Sequence, residues 1–459
     1  MAVKAQQNEL ILTRRHLMLF LIVMPLLLAL AGFAVQGSQV PAWPGDLVEP
    51  EPRGRILASD GTVLAEGQPE NRHYPEGTLA AHLVGFSGRI QPDGRYGLEG
   101  IEYIYDELLQ SGRDVRLTID PALQAAAQTE LRRTVEGVEA QSGAVVMLEA
   151  NTGRILAAAS YPTYDPNRQE EYPRDALINR AFLHQYEPGS VLKPFTVAAL
   201  MESGRLSPRE LIPAEPCLRV GTNTFCDVSS HEDELAVRDV LRYSSNTGMI
   251  HLSERFTAEE QYGWLRRYGF GQKPPIDAAF ARSGHLNPWQ SWVPQDKASV
   301  TIGQSISVTA LQLAAAYSIF ANDGLYVPPY LVEGAEVPEP HHVISPEVAY
   351  TIRSMLRYTV EESGISASKI PDVTMAGKTG TADVFDNELG RYVEGDYTLS
   401  FAGMFPAERP EVVMVVFVKK PKTYTSSTYV AAPLFQAIGT KTVAHWGVAP
   451  QARPVAQQR

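Results

Sequence analysis

Cysteine is nearly absent: Cys217 and Cys226 are the two in 459 residues. No paired-cysteine motif and no H-E-x-x-H occurs, so nothing in the sequence points to a bound metal. His341-His342 lies between prolines and reads as loop. Excess positive charge is missing too. Forty Lys and Arg stand against 52 Asp and Glu, a formal net charge of −12. An acidic chain without a basic patch argues against nucleic-acid binding. Gly94, Gly97 and Gly100 do not have the spacing of a dinucleotide fingerprint. Internal repeats are absent. No metal and no cofactor is expected.

What is present begins with a long uncharged run. Leu17 to Val35 holds no ionisable residue over 19 positions. As a helix it spans about 28 Å, enough to cross a bilayer core. Lys4, Arg14 and Arg15 against Glu9 give residues 1–16 a formal +2, leaving −14 for the rest. The next positive charge is Arg53, so the N-terminus is expected in the cytoplasm. The rival reading is a cleaved signal peptide, because Ala29-Leu30-Ala31 fits a small-residue cleavage site. Pro41, Pro44, Pro50 and Pro52 read as a stiff linker. With 44% hydrophobic residues the chain can build two or three domains. Outside the cytoplasm, Cys217 and Cys226 could close a small loop around the turn-like Gly221-Thr222-Asn223. Two reduced thiols are the alternative.

Three short motifs follow in order: Ser190-Val191-Leu192-Lys193, Ser244-Ser245-Asn246 and Lys378-Thr379-Gly380-Thr381. Ser190 follows the turn pair Pro188-Gly189 and precedes an apolar stretch of helical length, Val191 to Met201, ending near Gly204. Pro194 fits only the first turn of such a helix. A helix starting at or just before Ser190 makes Ser190 and Lys193 neighbours at i and i+3. A serine hydroxyl needs a base, and a lysine serves as one only if its pKa falls. S-x-x-K recurs at Ser366-Ala367-Ser368-Lys369, in a Ser/Gly-rich stretch with no apolar helix after it, which reads as loop.

Ser244-Ser245-Asn246 lies between helical patterns, Leu235 to Tyr243 and Gly248 to Phe256. Ser244 could relay a proton and Asn246 could hold the lysine or a substrate amide. A helix N-cap is the bland alternative. Gly377 to Ala382 precedes strand-like runs at Leu399 to Phe405 and Val412 to Val418. Lys378 and Thr379 would then sit on a strand, with Gly380 allowing close backbone approach of a ligand. A sheet edge there could take a peptide as an added strand. Singly, each motif is weak. S-x-N and K-T-G each occur once, and in this order.

That combination resembles the penicillin-binding proteins and serine β-lactamases. The surrounding sequence is similar to class B penicillin-binding proteins, which are peptidoglycan D,D-transpeptidases. The likeness rests on Glu187-Pro188-Gly189-Ser190-Val191-Leu192-Lys193-Pro194-Phe195, on Val115 to Asp120 followed by Leu123-Gln124, and on Asn151 to Ala157. Gly303-Gln304, Thr309 to Ala314 and Ala321 to Gly324 extend it. Upstream, Arg53 to Leu57, Asp60-Gly61 and Tyr96 to Glu102 resemble the two ends of the family's N-terminal domain. Two departures stand out. The stretch before the catalytic region has room for one small module at most. Ser305 stands where the family often has glycine.

The resemblance implies an α+β fold, an antiparallel sheet flanked by helices with the site at one sheet edge. The expected order is a cytoplasmic tail (1–16), a transmembrane helix (17–35) and a small, mostly extended pedestal or linker domain (36–115). A transpeptidase domain (116–446) and a disordered tail (447–459) complete it. Ser190, Lys193, Ser244 and Asn246 are the expected catalytic residues, and Lys378, Thr379, Gly380 and Thr381 the substrate-binding ones. Expected partners are stem peptides ending in D-Ala-D-Ala, β-lactams and a membrane glycosyltransferase of the SEDS type. The implied location is a bacterial plasma membrane, single-pass, with the catalytic domain outside. Alternatives are a carboxypeptidase or β-lactamase on the same scaffold, or a β-lactam sensor or assembly scaffold.

Overall fold

Val412 to Val418 is an unbroken apolar run seven residues long. Such a run suits a strand covered on both faces, because alternate side chains point opposite ways. The computed structural model describes residues 52–362, 369–386 and 390–447. In it this run is the middle strand of a five-stranded sheet. The strands are β1 (Ser142–Glu149), β2 (Ile155–Tyr161), β3 (Ala376–Asp386), β4 (Arg391–Phe405) and β5 (Val412–Lys419). Their order is β3-β4-β5-β1-β2, antiparallel throughout. This matches the expected sheet, with the Lys378 strand at one edge.

The alternation builds two cores. Val413, Val415 and Phe417 of β5 join Ala144, Val146 and Leu148 of β1 on one face. Helix α5 (Ala310–Ala321), buried along its whole length, belongs to that face. Val412, Met414, Val416 and Val418 point to the other face, toward α1 (Pro121–Gly137) and α7 (Ala431–Trp446). Each such fully buried side chain contributes roughly 1.5–3 kcal/mol. Caps fix where the helices start. Asp120 accepts from Ala122 N and Leu123 N ahead of α1, with Pro121 at its first position. Thr309 accepts from Gln312 N at α5. A cap of this kind is worth about 1 kcal/mol.

Helix α2 (Lys193–Glu202) is preceded by a 3₁₀ turn, Gly189–Leu192, so Ser190 lies in the tighter turn before the α-helix proper. Helices α3 (Val237–Tyr243) and α4 (Asn246–Ser253) meet at the second motif. Helix α6 (Pro346–Glu362) completes the set used below.

Residues 52–115 are less extended than expected. They hold short strands at Ile56–Leu57 and Val63–Ala65 and short helices at Ala81–Val84, Gly100–Ile104 and Asp106–Gln110. Val115–Arg116 pairs in parallel with Ile56–Leu57 and straddles the expected boundary at 115/116. A buried ion cluster ties this part together: Arg53 Nη2 lies 2.7 Å from Glu102 Oε2 and 2.9 Å from Asp106 Oδ1. Arg72 Nε lies 2.6 Å from Glu102 Oε1. Ile56, Ala58 and Leu64 share one apolar core with Leu148 and α5, so packing runs across the boundary.

Among the described residues no helix is long and apolar enough to cross a membrane. The run Leu17 to Val35, residues 366–368 of the second S-x-x-K and residues 448–459 of the tail lie outside the described residues.

Candidate active site

The Ser190 turn exists because Gly189 adopts φ +60°, a left-handed conformation that glycine takes without a Cβ penalty. Ser190 is half-buried. Three residues on, Lys193 is completely buried. Its Nζ donates to Asn246 Oδ1 at 2.7 Å, to Ser244 O at 2.5 Å and lies 3.3 Å from Ser244 Oγ. Burial, then the like charge of Lys378, push the Lys193 pKa well below the ordinary lysine value, and Asp227 partly opposes them. Burial of this kind favours the neutral, basic form of a lysine.

The second motif does two jobs. Ser245 is the N-cap of α4, its Oγ accepting from Gly248 N at 2.9 Å. The cap alternative therefore holds for Ser245. Ser244, at φ +59°, ends α3, and Asn246 begins α4; both face Lys193. Asp227, which motif reasoning missed, organises this turn. It accepts from Ser245 Oγ at 2.5 Å, from Thr247 Oγ1 at 3.0 Å and from Asn246 N. The preceding residue is disulfide-bonded, Cys217 to Cys226, across a two-stranded hairpin (Cys217–Val220, Asn223–Cys226). The bridge is therefore formed, and the reduced-thiol alternative is set aside.

The third motif lies on β3, which pairs with β4 alone among the described strands. Lys378 is 1% exposed, and burial lowers its pKa to about 7. Strand alternation gives Lys378 and Gly380 one side and Thr379 and Thr381 the other. Thr379 is half-buried and Thr381 exposed. Gly380 also has a packing reason. A Cβ there would stand 2.5 Å from Pro188 O, 2.5 Å from Ser400 Oγ and 3.0 Å from Val191 Cγ1. The missing side chain lets β3 close onto the Ser190 turn; the close neighbour is the protein's own backbone. Gly189 and Gly303 interlock likewise: a Cβ on Gly189 would meet Thr381 O at 2.6 Å, and one on Gly303 would meet Gly189 O at 2.0 Å. Ser427, also missed, is buried, donates to Gly380 O and lies 3.0 Å from Thr381 Oγ1.

A cleft of about 620 Å³ runs beside the Ser190 turn, lined among others by Tyr186, Glu187, Ser305, Asp383, Tyr392 and Lys419. Glu187 Oε1 accepts from Ser305 N and Tyr392 Oη, each at 2.9 Å. Burial raises the Glu187 pKa. Ser305 sits at φ +56°, which explains why glycine is the easier residue there. Among the described residues no group of three or more His, Cys, Asp or Glu is placed to hold a metal.

The structure thus brings Lys193, Ser244 and Asn246 into direct contact and lays Gly380 and Thr381 against the Ser190 turn. Residues 143–439 match the family described as the penicillin binding protein transpeptidase domain. The probable peptidoglycan D,D-transpeptidase PenA of Neisseria gonorrhoeae is 31% identical over 406 residues, 83% of this chain and 69% of that protein. Peptidoglycan D,D-transpeptidase FtsI of Escherichia coli is 30% identical over 402 residues, 81% of this chain and 66% of that protein. The crystal structure of apo penicillin binding protein 3 from Mycobacterium tuberculosis superposes with a TM-score of 0.78 at 30% identity, covering 89% of this chain and 99% of that one. The same protein has been solved with aztreonam and with ampicillin. With interlocked motifs, matching fold and relatives all in agreement, the chain belongs to the class B penicillin-binding proteins.

Proposed function

We propose that this protein is a peptidoglycan D,D-transpeptidase working through an acyl-enzyme on Ser190, with β-lactams as its inhibitors. The observation that carries the reading is the burial of Lys193 against Ser244 and Asn246, one turn from Ser190. Neutral Lys193 takes the Ser190 proton as Oγ attacks the carbonyl carbon of the penultimate D-Ala. The tight packing of Gly189 on Thr381 supports an oxyanion site made by the N–H groups of Ser190 and Thr381. Such donors are worth about 3–4 kcal/mol each in transition-state stabilisation. The peptide C–N bond breaks, and terminal D-Ala leaves with a proton relayed through Ser244. An amine of a second stem peptide then attacks the ester, forms the new amide and releases the Ser190 hydroxyl. Thr379 and Thr381, two apart on one side of β3, grip the substrate carboxylate, with Lys378 adding positive charge. Asn246 holds Lys193 and the substrate amide.

The run Leu17 to Val35 anchors the chain in the plasma membrane with the catalytic domain outside. It docks, with residues 36–115, on a SEDS-type glycosyltransferase, because a transpeptidase alone cannot polymerise glycan. Membrane fractionation and co-purification against a chain with an unrelated membrane segment test this part. The chemistry is tested by incubating the protein with a stem pentapeptide and an amine acceptor. Cross-linked product with release of D-Ala is expected. Hydrolysis alone, at every acceptor concentration, would make it a carboxypeptidase.

A further inference from the structure

Asn246 presents Oδ1 to Lys193, and something must keep its amide from turning over. Its Nδ2 donates to Cys226 O at 2.9 Å, which fixes the amide with the oxygen inward. Cys226 closes the disulfide hairpin, and the next residue is Asp227. The Asp227 side chain is 3% exposed. Its Oδ2 receives Ser245 Oγ at 2.5 Å, Thr247 Oγ1 at 3.0 Å and His231 Nε2 at 2.9 Å. Its Oδ1 receives Asn246 N and, at 3.2 Å, Thr247 N. A carboxylate has about four lone-pair sites, so this one is saturated. The Asp227 carboxylate and the Cys226 carbonyl thus hold the first turn of α4 by side chain and backbone together.

We propose that Asp227 is a positioning residue for acylation: held by the disulfide-closed Cys217–Cys226 hairpin, its carboxylate fixes the Ser244–Asn246 turn and so the seat of Lys193. The inference rests on the reading of Ser190 as nucleophile and Lys193 as base. Asp227 also acts by charge. Burial pushes its carboxyl up, but hydrogen bonds from Ser245, Asn246 and Thr247 outweigh that and hold it below the usual carboxylate range. It therefore stays ionised. The charged groups facing Lys193 are then Lys378 from β3, which lowers its pKa, and Asp227 from the hairpin, which raises it. His231 faces Asp227 from the loop before α3, and Glu215 feels its charge from the segment before the hairpin.

Asp227→Asn keeps the shape and removes the charge. It also turns an N–H toward groups that are themselves donors. The test is the second-order rate of acylation by a fluorescent penicillin, from pH 5 to 9, with thermal melting to verify folding. The expected result is a fall of about tenfold or more in the plateau rate, with the acid limb displaced to lower pH. An unchanged rate, or a slower rate with the limb unmoved, would overturn the proposal. Should Asp227→Asn not fold, wild type with the disulfide reduced decides. Asp227 keeps its charge there, so several-fold slower acylation with the limb in place is expected, and a rate equal to that of the oxidised protein overturns it. Wild type is the control: no labelling of wild type would instead refute the functional reading.

Discussion

Lys193 Nζ and Asn246 Oδ1 meet at 2.7 Å although 53 positions separate them in the chain. Ser190 stands only three residues before the lysine, yet the hydrogen-bond partners of the lysine come from Ser244 and Asn246. The proposed nucleophile and base are thus adjacent in sequence, while the geometry of the lysine depends on how α4 is anchored. Burial first, then the charge of Lys378, lower the pKa of Lys193, and Asp227 partly opposes them.

The acylation rate should therefore rise with pH along a limb set by Lys193 and flatten well below the ordinary lysine range, because burial and Lys378 lower that pKa. Lys378→Met removes the like charge. The Lys193 pKa then rises, and the limb should move to higher pH. Since Lys378 itself is held near 7 by burial, part of its charge is lost as the pH passes that value. A pH profile of penicillin acylation measures both, and a limb that stays in place would show that Lys378 does not set the pKa of Lys193.

Gly380→Ala should separate β3 from the Ser190 turn. Its Cβ would stand 2.5 Å from a backbone carbonyl, Pro188 O, which cannot step aside as a flexible side chain could. A stability loss of about 1–3 kcal/mol is expected from overpacking. Acylation should slow by at least tenfold while the sheet remains folded. Urea unfolding and labelling rates on the same preparation test the pair of effects.

Ser305→Gly should stabilise the protein by about 1 kcal/mol, since Ser305 is held at φ +56°. Its N–H would keep its bond to Glu187 Oε1. The denaturation midpoint should rise and the acylation rate stay within twofold. A lower midpoint would mean that the hydroxyl has a role the backbone does not reveal.

The three motifs were legible because each sets chemistry-bearing residues at short, fixed spacing. The sheet core was legible because Val412 to Val418 has no polar interruption. What escaped has long-range causes. Asp227 lies 19 positions before Asn246, and Ser427 lies 46 after Thr381, with no local pattern to mark either. Strand β4 begins at Arg391, well before the apolar window Leu399 to Phe405, because its first half is partly exposed and carries no apolar run. Gly380 was visible as a glycine, but only the packed structure shows that Pro188 and Val191 are what it makes room for.

The penicilloyl adduct should be long-lived. Hydrolysis needs a base holding water within about 3 Å of the acyl carbonyl. Of the glutamates in the matching part of the chain, Glu260 is engaged by Arg205 and the Thr257 cap, and Glu254 pairs with His251. Glu232, Glu234 and Glu259 are exposed. Intact mass should show the adduct for at least minutes. Clearance within seconds with catalytic loss of drug would identify a β-lactamase.

Whether Ser190 is the nucleophile is decided by peptide mapping after penicillin labelling. A single acylated peptide containing Ser190 is expected, abolished in Ser190→Ala and intact in Ser366→Ala. Labelling that survives in Ser190→Ala, or a modified peptide carrying Ser366, would contradict it.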